Sequence, residues 1–450
     1  METNMLNPMP PAQLKVPEKP SFKEAFLFWL KLGFISFGGP AGQIAIMHTF
    51  IVEQKRWVSD SRFLHALNYC MLLPGPEAQQ LATYLGWLMH GVRGGLVAGI
   101  FFVLPSVFIL LGLSVVYVSF GTVPWVAALF YGLKPAVVAI VALALFKIAG
   151  KSLKTWLHYV LVAMSFLCLF VFKVPFPLII LGAVGVALVL RKALPDLFQE
   201  KETTKKQADD EQSYFLNAQS EVVGEGVSLG RSLFRFGITL ALWALPLALF
   251  HLFTHQFPFW SNLIGFFTKA ALVTFGGAYA VLPYAAQVTV EQFHWLSKYQ
   301  MIDGLALGET TPGPLIMVLA FVGFMAGFNH YGGSLAMGAL GLFTTTFYTF
   351  LPCFFFILAG APFIERTRGN VAVQSVLGMV TAAVVGVVLN LTVYFGAVVL
   401  FPGGVSWARM DGFALLWILI SLLAMYRFKV GMILWIMLSA LAGLLHFLLL

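Results

Sequence analysis

The chain has 450 residues, of which 60% are hydrophobic and 10% are charged. Soluble domains carry roughly 25% charged residues, so this chain cannot cover its apolar residues with a polar surface and needs a bilayer as solvent. Its net charge of +8 does not point to nucleic acid, because Lys and Arg are scattered between apolar runs and read as topology signals.

From the amino terminus, Met1 to Pro20 is a polar, proline-rich tail without an apolar h-region, so no cleaved signal peptide is expected. The apolar run Phe22 to Ile51 follows, interrupted by Ser36-Phe37-Gly38-Gly39-Pro40. Gly weakens a helix, and Pro removes a donor and clashes with the preceding turn, so the run should break there. In hydrocarbon a broken helix is tolerated only where protein or a water-filled cavity satisfies the freed backbone, which makes the break a candidate binding site. The next run, Phe63 to Met89, breaks at Pro74-Gly75-Pro76. Later runs, including Leu96 to Phe120, Val123 to Leu145 and Met432 to Leu450, reach the roughly 20 residues needed to cross a bilayer. Cys70, Cys168 and Cys353 lie in apolar segments without CxxC or Cys/His spacing, and imply neither disulfide nor metal.

The chain repeats itself. The offset from Lys31 to Lys269, 238 residues, also carries Phe37-Gly38-Gly39 onto Phe275-Gly276-Gly277 and Val52-Glu53-Gln54 onto Val290-Glu291-Gln292. Pro74-Gly75-Pro76 falls on Pro312-Gly313-Pro314, and Gly94-Gly95 on Gly332-Gly333, with no gap. The reading is a tail (1–20), a first repeat (21–193), a polar and loosely ordered cytoplasmic linker (194–230), and a second repeat (231–450) with an extra helix at about 234–253.

Basic residues suggest orientation. Lys55, Arg56 and Arg62 lie between the first two broken runs, and short basic loops favour the cytoplasm. With Lys15, Lys19 and Lys23 also cytoplasmic, the first run must leave and return on one side as a re-entrant hairpin, although a single broken span is the alternative. The extra run before the second copy leaves an odd number of crossings between the copies, which inverts them. The equivalent loops then lie outside, and Gly327 to Gly333 indeed lacks Lys and Arg, while Arg366, Arg368, Arg427 and Lys429 fall inside. The fold expected is an all-α polytopic membrane protein of two inverted-topology homologous repeats, whose broken or re-entrant helices meet near the membrane midplane.

At the start of a half-helix, unpaired N–H groups and aligned peptide dipoles suit an anion, and glycine lets an oxyanion approach the backbone. Candidate binding residues are therefore Ser36, Gly38, Gly39, Pro40 and Gln43 with Pro74, Gly75 and Pro76, and their counterparts Thr274, Gly276, Gly277, Thr310, Thr311, Pro312, Gly313 and Pro314. Asn68, Gln79 and Gln80 add neutral hydrogen-bonding groups, and Lys31 and Lys269 add charge. Glu77 and Glu309 break the repeat symmetry and are candidates for proton coupling. The competing reading gives the glycines and prolines to tight turns and close packing, the lysines to snorkelling, and the acids to capping or pairing. Lys134, before Pro135, reads chiefly as an interfacial anchor, and the histidines are isolated. There is no nucleotide, cofactor or hydrolase motif and no metal-ligand spacing, so neither an enzyme nor an ATP-driven pump is indicated.

On SFGGPAGQIAIMH at Ser36 to His48, the VEQ block, HALNYCMLLPGPEAQQLATYLGW at His65 to Trp87, TFGG at Thr274 to Gly277 and TPGP at Thr311 to Pro314, the chain resembles the chromate ion transporter family in its long, two-domain form. The resemblance implies gradient-driven membrane transport of chromate, with efflux and resistance as the expected outcome and sulfate as a related oxyanion. A sulfate or oxyanion uptake carrier and a passive anion channel are the alternatives. It implies no cofactor and no nucleic acid partner. The partners are a chromate- or sulfate-type dianion and the lipid bilayer, a homodimer is an admissible assembly, and the location is the plasma membrane. Many members of that family have a His where this chain has Gln43, and the second motif reads Gly277-Ala278 without proline, so the two halves should contribute unequally.

Overall fold

The structure, a computed structural model, describes residues 18–37, 39–71, 73–193, 213–217, 229–275, 277–364, 371–404 and 406–449. Among these, six helices are long and apolar enough to cross a membrane by length and composition, and shorter apolar helices accompany them. The tail before residue 18, most of the linker, Gly38, Gly276, Arg366 and Arg368 lie outside the described residues.

The first apolar run is a helical hairpin. Helix α1 (Phe22–Ile35) is capped by Ser21, whose hydroxyl accepts from the Glu24 amide at 3.2 Å. It stops at the expected break, where Gly39 takes a φ of +69°, a conformation that favours glycine. Helix α2 (Gly39–His48) begins there, with Pro40 in its first turn where no intrahelical donor is lost. It continues into a π-helical turn, Thr49–Gln54, and comes back alongside α1. Phe50 stacks on Phe28 with ring centroids 4.0 Å apart, and Lys55 Nζ meets Glu24 at 2.8 Å.

Helix α3 (Asp60–Cys70) and the first leg of α4 (Glu77–Phe120) form a second hairpin around Pro74-Gly75-Pro76. His48 reaches Asp60 at 2.7 Å and His90 reaches the Pro20 carbonyl at 2.9 Å, so the open ends of both hairpins share one end of the molecule. The chain then reverses within α4 at Gly91, with φ 61° and ψ −155°, a region essentially restricted to glycine. Its two legs touch backbone to backbone, since a methyl at Gly86 would strike the Gly94 carbonyl and Ala98; small residues permit that approach.

Helices α5 (Pro124–Ser152), α6 (Trp156–Phe170) and α7 (Phe176–Ala193) complete the first repeat. The extra helix is α8 (Leu229–Phe253), whose Leu233, Phe234, Leu240, Leu245 and Leu252 are exposed. It is tied inward by Trp243 donating to Thr268 at 3.0 Å and Tyr348 donating to the Trp243 carbonyl at 2.6 Å.

The second repeat runs α9 (Phe257–Val273), α10 (Ala278–Ala286), a π-helical turn at Gln287–Gln292, α11 (Lys298–Thr310), α12 (Val318–His330), α13 (Leu335–Ile364), α14 (Val371–Leu400), α15 (Gly412–Tyr426) and α16 (Met432–Leu449). Its π turn starts and stops at the positions that the repeat offset equates with Thr49 and Gln54. The register fails once. Gly332 and Gly333 form the turn between α12 and α13 with φ of +61° and +93°, whereas Gly94 and Gly95 lie inside the second leg of α4. The gap-free match there joins residues with different roles, because α12 runs on further before its turn than the first leg of α4 does.

Within the linker, Ser213 to Asn217 is not a free tether. Ser59 N donates to Leu216 O at 2.8 Å, Leu216 N to Trp57 O at 3.0 Å, and the buried Arg62 to Asn217 O at 2.7 Å. This short strap binds the loop between the first two hairpins.

Candidate functional site

The tip of each Pro-Gly-Pro hairpin meets the helix break of the other repeat. Gly313 N donates to Ser36 O at 2.7 Å, and Gly75 N donates to Thr274 O at 2.7 Å. The repeat offset exchanges these two bonds, as a local two-fold relation requires. Both glycines need their type: φ is +124° at Gly75 and +103° at Gly313, and a methyl at Gly75 would lie 2.6 Å from Cys353 Sγ and 2.8 Å from Gln80 Nε2.

Side chains satisfy the carbonyls that the breaks set free. Gln43 Nε2 donates to Gly313 O at 2.5 Å and lies 3.4 Å from Ser36 O; two carbonyl neighbours fix which end of that amide faces them. Gln80 Nε2 donates to Pro74 O at 2.7 Å, and Ser106 Oγ to Pro312 O. The hydroxyls of Ser36, Thr274, Thr310 and Thr311 turn back onto carbonyls of their own helices. Gln79 bonds Thr83 at 3.1 Å. Much of the predicted polar set therefore holds the tips in shape.

The amides at the half-helix starts are treated differently. Neither Pro76, before α4, nor Gly277, before α10, provides a side-chain cap. A methyl added at Gly39 would meet nothing within 4 Å, so the start of α2 faces open space. At Gly277 the one neighbour of such a methyl would be Glu77 Oε1, at 3.8 Å. One helix start is thus open and its counterpart faces a carboxyl group. Glu309 is buried, and accepts from Tyr279 OH at 2.7 Å, linking the end of α11 to the first turn of α10.

Of the residues singled out in the sequence, Ser36, Gly39, Pro40, Gln43, Pro74, Gly75, Pro76, Glu77, Gln79, Gln80, Thr274, Gly277, Glu309, Thr310, Thr311, Pro312, Gly313 and Pro314 gather at these tips and the helix turns that carry them. Lys31, Lys269 and Asn68 do not. All three are exposed, and α1 buries Ala25, Phe28, Trp29 and Leu32 on the face away from Lys31; the lysines are placed for snorkelling. Tyr279, Ser106 and Cys353 join the tips without having been foreseen. A hydroxyl in the apolar run Leu96 to Phe120 was the available signal for Ser106; nothing local marks the other two. Among the described residues there is no group of three or more His, Cys, Asp or Glu side chains placed to hold a metal ion.

A family model described as chromate transporter matches residues 23–189 and 261–444. The chromate transport protein of Cupriavidus metallidurans is 29% identical over 394 residues, covering 86% of this chain and 87% of its own length. The chromate transport protein of Pseudomonas aeruginosa is 30% identical over 387 residues, 84% of this chain and 82% of its own. An uncharacterized transporter of Methanocaldococcus jannaschii is 25% identical over 429 residues, 94% of both. No solved structure matches the chain significantly.

Proposed function

The chain belongs to the chromate transporter family, and on that premise we propose that it is a proton-coupled secondary transporter that exports chromate across the plasma membrane, with sulfate able to use the same site. The observation that carries the reading is the open start of α2 at Gly39, set beside hairpin tips locked crosswise by the Ser36–Gly313 and Thr274–Gly75 bonds. Helix-start amides without intrahelical partners present partial positive charge, and a glycine lets an oxyanion reach them.

The repeats are read as inverted. Among the described residues, five helical segments, the second leg of α4 and α5 to α8, separate the two hairpin sets, and an odd number of crossings makes the second set enter from the opposite face. On this reading the amino terminus and the linker are cytoplasmic. Glu77 supplies the coupling. Ionised, it repels a dianion from the start of α10; protonated, it admits one and donates a hydrogen bond. Glu309, held by Tyr279, is the second coupling group.

Purified protein in liposomes, given chromate or sulfate under imposed pH gradients, tests the proposal. Saturable flux driven by the gradient supports it. An absence of flux under every gradient overturns it, unitary channel currents would reassign the chain as a passive anion channel, and sulfate entry without chromate export would make it an uptake carrier.

A further inference from the structure

The open end of the α11–α12 hairpin holds charged groups that the tips do not use. Between α4, α5, α11 and α12 lies a cavity of about 240 Å³ lined by Tyr117, Thr122, Lys134, Gln300 and Asp303 among others. Four of these five side chains bring donors: a phenol, a hydroxyl, an ammonium and an amide. The fifth is the carboxylate of Asp303, whose side chain is only 6% exposed. Its Oδ2 accepts from Tyr117 OH at 2.9 Å. Its Oδ1 lies 3.6 Å from Lys134 Nζ, beyond hydrogen-bonding distance, and has no hydrogen-bond partner. Lys134 Nζ also stands 5.1 Å from the ring centroid of Tyr299 and lines a second cavity of about 250 Å³ with Tyr131, Tyr299 and Asp411. The ammonium thus borders two cavities, and its pairing with Asp303 is loose.

We propose that this cavity is a second oxyanion site, separate from the hairpin tips, in which Lys134 binds the anion and Asp303 competes with it until a proton arrives. The proposal rests on the reading of the chain as an oxyanion transporter. A dianion entering beside ionised Asp303 meets a like charge in a medium of low dielectric, where such repulsion is strong. Protonation of Asp303 removes that charge, frees the whole field of Lys134 for the anion, and converts the carboxyl into a donor. No covalent bond changes, and the proton stays on Asp303 while the anion is bound. The space is adequate, since a water occupies about 30 Å³ of liquid and the cavity exceeds several such volumes.

The groups facing Asp303 are Tyr117 from α4 and Lys134 from α5, with Tyr299 and Gln300 on α11 itself; α12 contributes Met325 and Phe328 to the cavity wall. Beyond Lys134, Asp411 accepts from Tyr131 at 2.7 Å, and His446 of α16 stacks on Tyr131. Asp303 and Glu309 lie on the same helix six residues apart, about 9 Å along its axis, so α11 carries one buried acid at this cavity and one at the tip. The competing reading is that Lys134 and Asp303 only tie α5 to α11.

Binding of chromate and of sulfate to the purified full-length protein is measured by titration calorimetry at acidic and alkaline pH, for wild type, Lys134→Gln, Lys134→Arg and Asp303→Asn. Wild type should show a binding phase that weakens as pH rises. Lys134→Gln should weaken that phase about tenfold to a hundredfold, the loss of one charge-assisted hydrogen bond, Lys134→Arg should retain it, and Asp303→Asn should make it independent of pH. A structural tie predicts altered thermal stability with the phase intact in Lys134→Gln, and that result overturns the proposal. If Lys134→Gln does not fold, unchanged pH dependence in Asp303→Asn overturns it equally. Liposome flux of the wild type is read separately: flux with no Lys134-dependent phase discards this site alone, and a Lys134-dependent phase without flux discards transport and keeps the site.

Discussion

Replacement of Gly39 by Ala separates the cost of an unusual backbone from the cost of a blocked site. An L-residue in the left-handed region costs about 1–2 kcal/mol, and Gly39 has φ +69°. No clash adds to this, because a methyl there meets nothing within 4 Å. Gly332, in the exposed turn after α12, has φ +61° and the same empty surroundings, so Gly332→Ala carries the same backbone penalty far from the tips. Both variants should therefore lose about 1–2 kcal/mol of stability and remain folded. They should differ in transport. On the proposed reading the new methyl at residue 39 stands where an oxyanion meets the amides of α2, and loss of one hydrogen bond to a charged group, about 1.5–3 kcal/mol, raises the KM for chromate about tenfold to over a hundredfold. Gly332→Ala should keep the wild-type KM. The measurements are thermal unfolding in detergent and the concentration dependence of chromate flux into liposomes. Wild-type KM in Gly39→Ala, or equal loss of flux in both variants, would refute an anion site at the start of α2.

Three further outcomes are expected. Glu77→Gln fixes the neutral form of the group facing Gly277, so chromate flux that rises as pH falls in wild type should become higher at alkaline pH and less steep in pH; flux that keeps its pH profile removes Glu77 from coupling. Lys31→Gln combined with Lys269→Gln should leave the KM for chromate close to wild type, since both side chains face outward, and a large rise would return them to the site. In a variant lacking Cys70, Cys168 and Cys353, the exposed repeat mates Glu53→Cys and Glu291→Cys should react with an impermeant thiol reagent from opposite faces of the membrane; labelling from one face rejects inversion.

What the sequence made legible follows from how locally each feature acts. Glycine and proline alter the backbone where they stand, so the breaks at Gly39 and Gly277 and the turns at Gly75 and Gly313 are visible in the chain, as is the extra helix α8. The facing of Lys31 is not. Beyond its three charged residues α1 is apolar on every side and gives little phase to read, so packing against α4 and against Phe50 of the π turn decides which side turns outward. The bonds between Gly313 and Ser36 and between Gly75 and Thr274 join segments from opposite halves of the chain, and no local rule announces them. Gly332 and Gly333 show the converse error, in which matching residues take unlike roles because the helix before them runs longer. The strap at Ser213 to Asn217 was hidden by its charged surroundings, although Leu216 is an apolar residue buried in the contact.

The symmetry of the scaffold and the asymmetry of its chemistry belong to one argument. Backbone bonds at the tips are exchanged between repeats with equal lengths of 2.7 Å, so a two-fold frame fixes where four helix ends converge. Side chains at matched positions then differ. Gln43, which holds the second tip, has Val281 as its mate, and Glu77 has Leu315. Two identical helix starts would offer two equivalent anion positions and no means of linking either to a proton. On the proposed reading, with a carboxyl group opposite Gly277 and open space at Gly39, binding of an anion goes together with binding of a proton at one end and is independent of it at the other. A carrier that couples the two ions needs that inequality, and a pore that only passes anions does not.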